Sequence, residues 1–130
     1  MLYKAATAAR GLGEERLRAH GVDMRQFALM TVLAASGPMS QGELGDQMGI
    51  DRTTMVALVD EVEQAGLVRR ERNRDDRRAY SVTLTPEGRR LQKRATQTLD
   101  GVADEFFGRL SPQERAQLQE FLRRLLEPAS

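Results

Sequence analysis

The sequence predicts a mainly α-helical domain carrying one small β-hairpin, an α+β fold built as a single unit. Three observations predict it. Apolar residues recur every three or four positions over most of the 130 residues. The period switches to two only between Leu67 and Thr85. Asp23, Ser40, Asp51, Thr85 and Ser111 each stand where a helix start needs a side-chain acceptor.

Residues 3–19 have helical spacing through Leu2, Ala5, Ala6, Ala9, Leu12, Arg16 and Leu17. Gly11 and Gly13 weaken that helix by about 1 kcal/mol each relative to Ala. Asp23 caps the next helix, on which Phe27, Met30 and Ala34 form a stripe with Leu29 and Leu33 beside it. Ser36-Gly37-Pro38 stops it. Ser40 and Glu43 then have the spacing of a capping box, and Met39 and Leu44 that of a hydrophobic staple. Gly49 ends this short helix, Asp51 starts another, and Ile50 and Met55 repeat the staple. Two helices joined by so tight a turn are a helix-turn-helix.

The second of the pair runs from Arg52 to Ala65. Met55, Leu58, Val59 and Val62 must face the core. Thr53, Ala57, Asp60 and Gln64 point the other way, with Thr54 beside them. Its first two turns are therefore small and hydroxyl-bearing outside. Asp60, Glu61 and Glu63 make the later turns acidic and repellent to phosphate. Residues 67–72 and 78–85 read as strands around a turn at 73–77, with Tyr80, Val82 and Leu84 inward. A hairpin directly after a helix-turn-helix is a wing. Thr85 and Pro86 open a long helix with the stripe Leu91, Ala95, Leu99, Val102 and Phe106. Ser111 and Glu114 open the last one with a second capping box. Its stripe is Leu118, Phe121, Leu122, Leu125 and Leu126. The chain has little else to cover these two faces, so a second copy is expected on them.

Composition narrows the chemistry. There is no Cys, which excludes disulfides and thiolate metal sites, and one His, which disfavours imidazole-based zinc sites and a catalytic triad. No paired carboxylates are set for acid–base work, and no Gly-rich loop follows a strand. Neither an enzyme nor a cofactor is expected. No apolar run suits a membrane span or a signal peptide, so a cytoplasmic protein without a membrane partner is expected. The net charge is only +1, but it is unevenly placed. Residues 66–94 hold ten basic and four acidic groups, against one basic and six acidic over 40–65. The positive stretch is sharpest at Arg69, Arg70, Arg72, Arg74, Arg77 and Arg78. Arginine forks suit phosphates and guanine edges. Alone, such a run reads as a solvated hairpin paired to Glu71, Asp75 and Asp76. Behind a helix-turn-helix it reads as a wing that meets DNA.

Residues 39–91 resemble the MarR family of bacterial transcription regulators. The sharpest pieces are Asp76-Arg77-Arg78, matching a D-x-R wing, and Leu84-Thr85-Pro86-Glu87-Gly88, matching L-T-x-x-G. The resemblance implies a homodimer on double-stranded DNA, generally a repressor at pseudo-palindromic promoter sites. In many members a small aromatic or drug-like effector releases the DNA. Carried over, Arg78 enters the minor groove and Asp76 orients it. Val56-Ala57 stand where the family often has Thr-Arg, which shifts binding toward the wing and the helix start.

The expected DNA-facing residues are Ser40, Gln41, Arg52, Thr53, Thr54, Ala57, Arg69, Arg70, Arg72, Arg74, Asp76, Arg77 and Arg78. Residues 22–86 form the expected DNA-binding region. Residues 1–21 and 87–130 form the expected dimerisation region. The competing reading is a winged-helix module that binds protein and never touches DNA.

Overall fold

A computed structural model describes residues 1–72 and 80–129. The chain runs α1 (Leu2–Arg18), α2 (Met24–Ser36), β1 (Met39–Ser40), α3 (Gln41–Met48), α4 (Arg52–Gln64), β2 (Val68–Arg72), β3 (Tyr80–Leu84), α5 (Pro86–Phe106) and α6 (Pro112–Leu126). The expected hairpin turn at 73–77 lies outside the described residues.

Helix starts follow their caps. Asp23, Ser40, Asp51, Thr85 and Ser111 each accept the backbone N–H three residues on. Asp23 does more than the sequence reading assigned it, because Gln26 reaches back to complete a capping box. Ser40 does less: it accepts from Glu43 N at 3.1 Å, and the expected reciprocal bond is not made. Its backbone belongs instead to β1, a two-residue strand that the sequence reading did not foresee. β1 pairs antiparallel with β3 through Met39↔Val82 and Ser40↔Ser81. β2 pairs with the other edge of β3, from Val68↔Leu84 to Arg72↔Tyr80, so the sheet order is β1-β3-β2.

One core joins the helix-turn-helix, the sheet and the long helices. It contains Leu17, Val22, Leu29, Met30, Leu33, Leu44, Met55, Val59, Val62, Val68, Val82 and Ala95. The four positions expected to be inward on α4 are all buried. On α2 the buried line is Leu29, Met30 and Leu33, while Phe27 and Ala34 of the expected stripe sit at its margin. Met24, Met39 and Met48 also pack at the edge, as adaptable filler. α5 lies along α1 and α2. His20, at the end of α1, shares a 2.8 Å hydrogen bond with Thr98 of α5.

Two glycines admit backbone where no side chain fits. A Cβ on Gly88 would lie 2.0 Å from the Leu67 carbonyl oxygen, and one on Gly45 would lie 2.8 Å from the Ile50 oxygen. The first lets α5 start against the entry to β2. The second lets the turn after Gly49 close onto α3. Gly49 itself has φ 66°, ψ 34°, a left-handed cap that glycine adopts without strain.

α6 stands apart. None of its residues is buried. Arg115 ties its start to α5 by a 2.7 Å ion pair with Asp104 and by lying over the Phe107 ring at 5.3 Å. Leu118 and Leu122 are half-buried, while Phe121, Leu125 and Leu126 are exposed.

Candidate nucleic-acid interface

The start of α4 is built by Asp51. Its carboxylate accepts from Thr54 N (2.8 Å) and from Thr54 Oγ1 (2.8 Å). These bonds to the charged form hold the Asp51 carboxyl below its ordinary value of 3.8. They also occupy the Thr54 proton, which makes Thr54 first a part of the cap. Arg52, Thr53 and Ala57 lie beside it, all three exposed, so the outer face of the first two turns is open.

Asp51 gives a pH prediction. A carboxyl whose folded value is depressed stabilises the fold fully above the unfolded value. That contribution disappears as pH falls through the folded value. Asp51→Asn caps without titrating. The variant should have a flatter acid limb of melting temperature against pH. An unchanged limb would assign the acid loss to other carboxylates.

The starts of α3, α4 and β3 meet around a concavity of about 550 Å³, lined by Ser40, Gln41, Gly42, Gly45, Asp46, Ile50, Arg52 and Tyr80. Tyr80 was expected inward. It shares the pleat face of Val82 and Leu84 but lies past the end of the core, and it is 46% exposed. Alternation assigns a side chain to a face and says nothing of where the core under that face stops. Tyr80 thus joins this concavity, a residue the sequence reading placed elsewhere.

The arginines of β2 divide. Arg69 points to one face of the sheet and pairs with Glu71 at 2.6 Å. Arg70 and Arg72 point to the other. Arg72 is exposed. Arg70 is only 20% exposed at its side chain, and every guanidinium nitrogen is engaged. Nε donates to Gln41 Oε1 (2.7 Å), Nη1 to Glu63 Oε1 (2.8 Å) and Nη2 to the Val56 carbonyl (3.3 Å), and Nη2 also forms an ion pair with Asp60 Oδ1 at 2.7 Å. Glu63 Oε2 also accepts the Arg70 backbone N–H at 2.8 Å. Arg70 is thus held to α3 and α4, and the Asp60 and Glu63 charges are partly offset. Arg74, Asp76, Arg77 and Arg78 lie outside the described residues.

A second, larger cleft of about 800 Å³ opens between α1, the start of α2 and the α3–α4 turn. Arg10, Arg18 and Arg25 line it with Glu14 and Asp23, and Met24, Ala28, Met48 and Ile50 give it an apolar wall. Among the described residues there is no His/Cys/Asp/Glu group suited to a metal, and no helix is long and apolar enough to cross a membrane.

The model of the MarR family matches residues 20–79, which hold the whole helix-turn-helix and β2. The chain is 32% identical over 101 residues to the transcriptional regulator HosA of Escherichia coli O127:H6, covering 78% of this chain and 75% of that protein. The chain belongs to the MarR family. It is a MarR-family transcriptional regulator with a winged helix-turn-helix fold. A Thauera aromatica protein assigned to regulation of the hcr operon is 33% identical over 105 residues, covering 81% of this chain and 63% of that relative. The chain thus spans less than two thirds of this relative's length. The MarR fold is matched over 97% of this chain and 91% of a mutant E. coli MarR solved with operator DNA, with a TM-score of 0.84 at 21% identity.

Proposed function

We propose that this MarR-family chain works as a homodimeric repressor on a pseudo-palindromic promoter site. One observation carries the reading. The start of α4 offers Thr53 and Ala57 outward, next to the exposed Arg52, while the acidic turns behind them are drawn onto Arg70. That arrangement suits a helix whose first turns enter a major groove. Residues 22–86 read the DNA in this proposal, and residues 1–21 and 87–130 pair the copies. The fold match to a protein solved on its operator supports the geometry.

The test is fluorescence anisotropy on a duplex enriched by this protein from a random-sequence pool, beside a scrambled duplex. The footprint should cover two half-sites about 34 Å apart, one turn of DNA. Affinity should fall steeply with salt as counterions are released. Arg78→Ala should weaken both duplexes and lower the salt slope by about 1. Thr53→Ala should erode preference at particular base pairs and cost little on scrambled DNA. A flat salt response with no enrichment would favour the protein-binding module instead.

A small-molecule effector is part of the proposal. The cleft of Arg10, Arg18 and Arg25 with its methionine and isoleucine wall suits a small anion with an apolar body. It touches both α1 and the α3–α4 turn. An occupant there bears on the angle between the helical arm and the DNA reader.

A further inference from the structure

We infer that Arg70 is a positioning residue for DNA reading: it holds α3, α4 and the wing strand as one rigid body and fixes the Gln41 amide so that its nitrogen is the outward donor. The inference rests on the DNA-binding reading above. Two features of the site carry it.

The first is the convergence of three elements on one side chain. Arg70 leaves β2, meets Gln41 at the start of α3, and takes Val56, Asp60 and Glu63 along two turns of α4. A phosphate on Arg70 would have to displace two carboxylates already at 2.7 and 2.8 Å. The planar fork makes these bonds in different directions at once. A lysine ammonium, on one point, cannot span the same set.

The second is the direction of the Gln41 bond. Arginine has donors and no acceptor. The Gln41 atom facing Nε must therefore be its oxygen, at 2.7 Å. Nε2 is turned away from Arg70, and among the described residues no acceptor takes it. Gln41 lines the concavity with Ser40, Arg52 and Tyr80. Arg70 thereby decides that Gln41 offers N–H to whatever enters there. DNA presents phosphate oxygens and base acceptors to such a donor.

The experiment uses the full chain, the enriched duplex and the scrambled duplex. Its readout is the ratio of the two affinities, in which general charge effects largely cancel. Arg70→Lys keeps the charge, and Glu63→Gln makes the region more positive, so neither can lose affinity for want of positive charge. Both should shrink the ratio, Arg70→Lys by about tenfold, with the salt slope within about 0.3 of the unsubstituted protein. In a Gln41→Ala background, Arg70→Lys should shrink the ratio distinctly less, since the two act through one bond. Melting curves identify any variant that fails to fold, and Glu63→Gln then carries the test.

An unchanged ratio in both variants would overturn the inference. So would Arg70→Gln lowering the salt slope by about 1 with the ratio kept, the mark of a phosphate ligand. If the unsubstituted protein enriches nothing and ignores salt, the DNA-binding reading falls and takes this inference with it. That result is distinct from a changed or unchanged ratio.

Discussion

Gly88→Ala should destabilise the fold by about 3 kcal/mol. The added carbon would sit 2.0 Å from the Leu67 carbonyl oxygen, 2.8 Å from its carbonyl carbon and 3.1 Å from its Cα. These are backbone atoms and have no rotamer into which to retreat. The same carbonyl accepts the Thr85 N–H at 3.0 Å, and Thr85 Oγ1 donates to the Gly66 carbonyl at 2.7 Å. Moving α5 outward would break both bonds as well as the packing. Overpacking ordinarily costs about 1–3 kcal/mol, and a backbone obstacle belongs at the upper end. That is a large share of a typical domain's stability of about 5–15 kcal/mol. Gly101→Ala, on the same helix with nothing within 4 Å of its new carbon, should instead gain about 0.5–1 kcal/mol from helix propensity. Urea unfolding of the two variants should shift in opposite directions. Equal midpoints would show that α5 can leave Leu67 without loss.

Leu125→Lys combined with Leu126→Lys should turn a dimer into a monomer. These leucines are 72% and 85% exposed within one chain, so the subunit fold does not depend on them. In a two-fold interface each substitution acts twice. At about 1.5 kcal/mol for each of four side chains, the loss is about 6 kcal/mol, or about 10⁴-fold in dissociation constant. Sedimentation equilibrium at micromolar concentration should give twice the 14.6 kDa chain mass for the unsubstituted protein and one chain mass for the variant. Affinity for a two-half-site duplex should fall with it, because the second half-site is no longer bound by a tethered partner. A variant that remains dimeric would place the interface elsewhere. An unsubstituted protein that sediments as a monomer would overturn the expectation that a second copy covers these faces.

What the sequence made legible was mostly local. Asp51 and its helix start are three residues apart from Thr54, and Ser111 is as close to Glu114, so spacing alone reveals their caps. The buried face of α4 follows from one helical period. β1 was invisible for the opposite reason. It is two residues long, and its partner Val82 lies across the whole helix-turn-helix. Tyr80 was misplaced because a period of two gives a face without an edge. Arg70 looked like its neighbours because a run of charge shows no partners, and its own come from positions 41, 56, 60 and 63. Gly88 was visible as the last letter of a motif. Only the position of the Leu67 carbonyl explains why that letter has no side chain.

The sheet order β1-β3-β2 has a mechanical meaning. The chain enters the helix pair from one strand and leaves it into another, and both hang on β3. β3 passes through Thr85 directly into α5. In a linkage, β3 would be the axle and α5 the crank. In the proposed DNA-binding role, a force on the long helix would reach both ends of the helix pair through this one strand.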